Sequence, residues 1–251
     1  MAIREDAASE YAAWATDLPA WNAMTIMGWV YISTNRGAGG QQFFQNEDGG
    51  GAGAYVYHDN LVLTLWVNTS GATGTTLSIG TWYHVALVCD TANAYLYLNG
   101  VQDVTRGMTS FTPNAILCGG SSQYLNGRHA AVKIWSAALT IDQVKAEMRT
   151  IRPQRIANLW GVFPLWNATD TRDLSGLGHA VTFVGSLTVE DGPPVGWGAA
   201  PLFVPSISQI WQYGRPISDV AKGSWTASTG SDLYAMIDEE GVSDADYIRS
   251  P

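Results

Sequence analysis

Residues 80–101 read GTWYHVALVCDTANAYLYLNGV. Within it two runs of alternating side chains flank a short polar turn, the pattern of paired strands. The run ends in Asn99-Gly100, a dipeptide suited to a two-residue type I′ hairpin because both residues tolerate positive φ. The chain therefore folds here as consecutive antiparallel strands.

The surrounding sequence extends that pattern. Upstream, Thr25-Ile-Met-Gly-Trp-Val-Tyr-Ile-Ser alternates with Ile26, Val30 and Ile32 on one side and Met27, Trp29 and Tyr31 on the other. Both sides are apolar or aromatic, so a central strand is expected. Gln41–Gln45 reads as a short strand, and 48–53 as a Gly-rich loop. Ala54–His58 and Leu61–Val67 are expected to pair across a turn at Asp59-Asn60, and Ala115–Cys118 gives a further strand. Glu10–Leu18 reads as an opening loop anchored by Tyr11 and Trp14. One helix interrupts the series. Thr140 and Gln143 form a capping-box pair, and Ile141, Val144, Met148 and Ile151 recur at helical spacing until Pro153. Many short strands with frequent turn signals predict an all-β sandwich with one short helix.

Composition narrows the function classes. Of 251 residues only 14% are charged, 11% are aromatic with eleven Trp, and the net charge is −9. That balance repels phosphate backbones, so no nucleic-acid partner is expected. No uncharged apolar run approaches the roughly 20 residues of a membrane span, so no membrane insertion is expected. The first residues, Met1-Ala-Ile-Arg-Glu-Asp, lack the basic-then-apolar pattern of a secretory signal. Cys89 and Cys118 sit in apolar strands and read as buried free thiols, a single bridge being the alternative.

Three motifs in order carry a family resemblance. They are G-x-W-x-H-V-A with its following N-G strand at 80–101, the stretch from Gly127 through Val132, Ile134, Trp135 and Leu139 to Thr140, and Asp173-Leu-Ser-Gly-Leu-Gly-His before Val181–Gly185. Together they resemble the laminin-G-like branch of the concanavalin A-like lectin jelly rolls over residues 10–195. The resemblance implies a jelly-roll sandwich, expected as residues 1–195. Residues 196–251 are then expected to form a Pro/Gly-rich linker and an extended acidic C-terminal arm. From Arg215 onward the arm carries seven Asp or Glu against three Lys or Arg. Arg215-Pro216, Asp219-Val220, Gly223–Trp225, Ser228–Gly230, Leu233-Tyr234, Ile237–Glu239 and Asp244–Ile248 resemble a segment of bacteriophage virion structural proteins. Its partner strands are expected from another subunit, with Trp211, Tyr213 and Trp225 at the contact, a missing continuation being the alternative.

Residues fit for catalysis are scarce. The resemblance includes a glycoside-cleaving branch, which needs acids at alternate strand positions facing one groove. No strand here bears two acids two apart, so no enzyme is expected. His58, His84, His129 and His179 are dispersed without metal spacing, and His84 reads as a core residue. The resemblance also implies a rim calcium ion, but Gly127-Arg-His-Ala-Ala-Val offers basic and small residues where relatives place Asp. No metal or other cofactor is therefore expected, with calcium kept as an alternative through Asp48, Asp59 and Asp90. For sugars, Gln123, Tyr124, Asn126 and Arg128 share one loop and His58, Asp59 and Asn60 another; solvated turns are the alternative at each.

The sequence thus favours a non-enzymatic bacteriophage virion structural protein, a capsid decoration or a head or tail fibre component. Its expected partners are other copies of itself, phage capsid or tail proteins, and host-surface polysaccharide. A carbohydrate-binding or adhesion module of a cellular surface protein is the alternative, and an endoglycanase the remote one.

Overall fold

A computed structural model describes residues 1–7, 10–14, 21–37, 40–46, 54–68, 70–108, 116–118 and 123–195. The strands in chain order are β1 (Ala2–Glu5), β2 (Tyr11–Trp14), β3 (Met24–Ile32), β4 (Gln41–Gln45), β5 (Ala54–Asp59), β6 (Val62–Val67), β7 (Ser70–Thr76) and β8 (Trp82–Cys89). They continue with β9 (Asn93–Leu98), β10 (Val101–Gly107), β11 (Ile116–Cys118), β12 (Gly127–Trp135), β13 (Leu159–Phe163), β14 (Thr182–Val184) and β15 (Thr188–Glu190), and helix α1 (Ile141–Glu147) follows β12.

These strands form two antiparallel sheets. The first runs β10-β9-β8-β3-β12-β1-β15, with β13 also on β12, and the second runs β14-β2-β11-β4-β5-β6-β7. Alternation along each strand explains the layering. Ile26, Val30 and Ile32 of β3 and Val85 and Leu87 of β8 face Phe44, Val56, Leu63 and Leu65 of the second sheet in one buried cluster. Each such fully buried side chain stabilises the sandwich by about 1.5–3 kcal/mol. The architecture is the concanavalin A-like jelly-roll sandwich that the sequence predicts.

Strand β12 divides one of its edges between two partners. Its first residues pair with β1, and Val132–Trp135 pair with β13. Between them lies Ala131, at φ 52°, whose N–H turns away to donate to Pro164 O at 2.9 Å. The same bulge shifts the register against β3 between Ala130 and Lys133.

The outer face of the first sheet is buried as well. Met27, Ala86, Val88, Tyr97, Trp135 and Leu139 pack with Val144 of α1. Thr140 and Gln143 form the reciprocal capping box expected of them. A polar contact lies on the inner side, where His129 Nδ1 sits 2.9 Å from Glu5 Oε1 and both side chains are fully buried. Burial raises the Glu5 carboxyl above its ordinary range.

Several local expectations need correction. Tyr11–Trp14 is a strand rather than a loop; Ala12 and Ala13 mask its alternation, while Trp14 is the buried anchor expected. The hairpin turn is Asn60-Leu61, since Asp59 pairs with Val62, and both turn residues have positive φ, 48° and 68°. Leu61 takes a conformation unusual for its type, so composition pointed one residue too early. Helix α1 ends at Glu147 with Met148 as its cap, before Pro153. Strand β10 follows from the expected Asn99-Gly100 hairpin, with Leu98 paired to Val101, whereas β1, β7, β13 and β15 go beyond the sequence reading; β7 is Ser/Thr/Gly-rich and has no apolar alternation to show. Cys89 and Cys118 are buried free thiols. The Gly-rich 48–53 loop and the arm from 196 lie outside the described residues, Trp211, Tyr213 and Trp225 included.

Candidate functional site

Strand β5 sends Ala54, Val56 and His58 inward, so Tyr55, Tyr57 and Asp59 stand on the outer face of the second sheet. Register with β6 places Tyr55 opposite Trp66 and Tyr57 opposite Thr64. The three rings form a bent row, Tyr57 and Tyr55 along β5 and Trp66 across from Tyr55 on β6. Tyr55 and Trp66 have centroids 5.9 Å apart at 20°, and Tyr55 and Tyr57 are 5.6 Å apart at 38°.

Two glycines let this row lie low on the sheet. A Cβ at Gly71 would stand 2.9 Å from Trp66 Cε3, and one at Gly40 would stand 2.8 Å from Tyr57 Cδ2. The indole therefore covers the β7 backbone at Gly71, and its Nε1 donates to Asn68 O at 3.0 Å. On β4 the Gln42 and Gln45 amides, hydrogen-bonded to each other, border the row. Half-buried Tyr and Trp rings beside amides suit a ligand with an apolar face and hydroxyl edges.

The predicted loop adjoins the end of this row. Gln123 Nε2 would lie 3.2 Å from a Cβ on Gly40, beside the Tyr57 ring, and Gln123 O accepts from Gln42 N at 2.7 Å. Tyr124 follows, and the Arg36 guanidinium lies 3.4 Å from its ring centroid. Arg36 Nη1 donates to Tyr124 O at 2.9 Å.

Asn126 and Arg128 are committed to structure. Asn126 O accepts from Ser33 N, its N–H donates to Gln41 Oε1 at 2.7 Å, and its side chain accepts from Arg4 Nη2 at 3.1 Å. Arg128 sits over the Tyr31 ring at 4.3 Å and pairs with Glu190 at 2.6 Å. Arg4 shares Glu190 and also lies 3.6 Å from Asp6.

The second predicted trio comes apart. His58 points into the core, where its Nδ1 accepts from Leu61 N at 3.3 Å and its ring packs on Phe43. Burial pushes its imidazole down to about 4, so it is neutral and enclosed, not a surface ligand. Asp59 keeps to the outer face with Tyr57, and Asn60 is an exposed turn residue. His84 is buried against Trp29, as its place in β8 predicts. Sequence reasoning missed Tyr55, Tyr57 and Trp66 as surface groups. The two glycines opposite them are visible in the sequence, but only register pairs them with the rings.

Carboxylate chemistry and metal binding find little here. Asp59 is the one acid that β4, β5 and β6 place on this outer face, whereas a retaining glycosidase needs two about 5–5.5 Å apart. Among the described residues no group of three His, Cys, Asp or Glu could hold a metal ion. The stretch where relatives would bind calcium does not fit it: Arg128 is a cation and His129 is turned onto Glu5. Asp90 Oδ1 is occupied by the N–H groups of Ala92 and Asn93, both at 2.7 Å. Asp48 lies outside the described residues.

Solved structures with this fold include a putative carbohydrate binding protein from Bacteroides ovatus, 15% identical with a TM-score of 0.53. The match covers 76% of this chain and 61% of that one, so the chain spans less than two thirds of that protein. The heptameric SAP-like pentraxin of Limulus polyphemus matches at 17% identity over 72% of this chain and 94% of that one, with a TM-score of 0.49. The CBM40 of the Ruminococcus gnavus IT-sialidase, solved with α2,3 sialyllactose, matches at 15% identity over 57% and 95%, with a TM-score of 0.43. No curated protein matches. The Laminin_G_3 family model matches residues 6–145, more than half of the 251, so the chain belongs to the concanavalin A-like lectin/glucanases superfamily.

Proposed function

We propose that this domain is a non-catalytic carbohydrate-binding module whose working surface is the aromatic row of the second sheet. The observation that carries the reading is the row itself: Tyr57, Tyr55 and Trp66, spaced 5.6 and 5.9 Å, laid over glycines and edged by Gln42 and Gln45. Rings at such intervals suit successive pyranose units of a chain, each stacking its apolar face while amides bond its hydroxyls. One acid on that face supports binding over hydrolysis. Binding of purified protein to an array of printed polysaccharides tests this. Trp66→Ala and Tyr57→Ala are expected to weaken the signal about tenfold, roughly 1.4 kcal/mol, with the circular dichroism of the fold retained. Absence of binding to every glycan, or full binding by both variants, sinks the reading.

The segment from Arg215 to Ile248 favours a more specific setting, because its motifs resemble those of bacteriophage virion proteins. In this reading the module is displayed on a capsid or fibre, joins other copies of itself through the C-terminal arm with Trp211, Tyr213 and Trp225 in the contact, and grips host-surface polysaccharide. Gold-labelled antibody on purified virus particles is expected to mark the head or the fibres, and unlabelled particles would remove this setting. Deleting residues 206–251 is expected to abolish assembly and leave a folded sandwich; a truncated protein that still assembles argues against the arm.

A further inference from the structure

Resting on the carbohydrate reading, we infer that the bound glycan is acidic and that Arg36, held flat on Tyr124, is the subsite for its carboxylate or sulfate. The three rim arginines differ in what they touch. Arg4 and Arg128 lie within ion-pair distance of Glu190, and Arg4 also of Asp6, so their charges are balanced within the protein. Arg36 is exposed and has no carboxylate within that distance among the described residues. Its Nη1 bond to Tyr124 O uses one of five N–H donors. Among the described residues no acceptor takes the other four, which a ligand can use.

The ring beneath it matters as much as the charge. A guanidinium 3.4 Å from the Tyr124 centroid is oriented before any ligand arrives, so little side-chain freedom is lost when it grips a planar anion. A fork of parallel N–H donors fits the two oxygens of a carboxylate, or two of a sulfate, and charge assistance makes such bonds about twice as strong as neutral ones. The protein's net charge of −9 disfavours polyanions at long range, so a local cation has a clear effect on choice of ligand.

Position links this cation to the aromatic row. Gln123 stands beside Tyr57 at Gly40, and Tyr124 is the next residue. The sequence of groups is Trp66, Tyr55, Tyr57, Gln123, then Tyr124 with Arg36. A glycan stacked on the row brings its acidic residue to the Arg36 end, where the anionic group finds the fork.

The test uses the full chain on an array of matched glycans: uronate-bearing, sialate-bearing, sulfated, and neutral forms including carboxyl-reduced polygalacturonate. Binding confined to acidic members is expected, with signal falling as salt is raised. Arg36→Gln is expected to lose tenfold or more in affinity, while Arg36→Lys recovers part of it because charge returns without the fork. The uronate, sialate and sulfate members separate the two anion chemistries. Equal binding of neutral and acidic forms would overturn the acidic assignment and leave the carbohydrate reading intact. Acidic binding undiminished in Arg36→Gln would overturn the role of Arg36. Binding to nothing would overturn both readings.

Discussion

The Lys133 ammonium donates to Glu147 Oε2 at 2.7 Å, and neither side chain is more than 2% exposed. This contact ties the central strand β12 to the end of α1. Lys133 also donates to Glu147 O and Thr150 O, while Glu147 Oε1 accepts from the N–H groups of Gln154 and Arg155 at 2.8 and 2.6 Å. All three ammonium protons and both carboxylate oxygens are thus engaged. Removing one partner strands the other charge in a dry setting, so Lys133→Met is expected to cost about 3–5 kcal/mol. Glu147→Leu should cost more: it orphans two backbone N–H donors, whereas Lys133→Met frees the carbonyls of Glu147 and Thr150, and an unmet N–H is less tolerated than an unmet C=O. Urea unfolding of the two variants checks the order; a smaller loss in Glu147→Leu would contradict it.

The Asn99 side chain repeats on a small scale what the ion pair does across layers. Its Oδ1 accepts from His84 N at 2.9 Å, and the Asn99 backbone N–H donates to His84 O at 2.8 Å, with φ at 51°. Asn99→Ala loses the side-chain bond and strains the backbone, for about 1–3 kcal/mol. Asn99→Gly removes the strain and should recover part of that loss. Thermal melts of the two variants should rank them in that order.

Gly71 is predicted to be a binding determinant that never touches ligand. A Cβ there meets Trp66 Cε3 at 2.9 Å, so Gly71→Val lifts the indole off β7. Glycan affinity is expected to fall as it does in Trp66→Ala, with an altered Trp fluorescence spectrum and an unchanged far-ultraviolet spectrum. Wild-type affinity in Gly71→Val would show that ring placement is irrelevant.

Acid sensitivity follows from two buried imidazoles. Burial holds His58 and His84 down to about 4 and about 3, from an ordinary 6.5. Below pH 6.5 the unfolded chain takes protons that the native one refuses, so stability falls as pH drops until the native rings titrate. Glu5 acts in the opposite sense: its raised carboxyl takes up a proton before the unfolded state does, and offsets part of the loss. The urea midpoint is expected to decline from pH 6.5 toward 4, and less steeply in His84→Gln. Equal slopes would exclude His84 as a source.

Both thiols should be inert in the native state. Burial pushes the Cys89 thiol up to about 12 and the Cys118 thiol well above its ordinary value. Ellman's reagent at pH 8 is expected to find no thiol in native protein and two in denaturant.

The sandwich was legible from residues 80–101 because alternation, the Asn99-Gly100 turn and the central β3 all agreed. What stayed hidden had little side-chain contrast: Ala12-Ala13 in β2, and the Ser/Thr/Gly run of β7. The candidate site was legible only in part. Gln123 and Tyr124 emerged from loop composition, but nothing local says that Trp66 faces Gly71 or that Arg36 reaches Tyr124. Those pairings come from register and from a loop 88 residues away in the chain. His58 misled for the reverse reason, since a polar residue two places before a turn can still fall on the inward side of a strand.

The divided edge of β12 bears on how the protein is made. Of the described strands β1 is made before the others, yet its neighbours are residues 127–129 on one side and 188–190 on the other. The opening strand must wait, unpaired, for most of the sandwich to be synthesised. At about 5–20 residues per second that delay is on the order of ten seconds or more, a window in which a bare edge invites capture by a chaperone or a neighbouring chain.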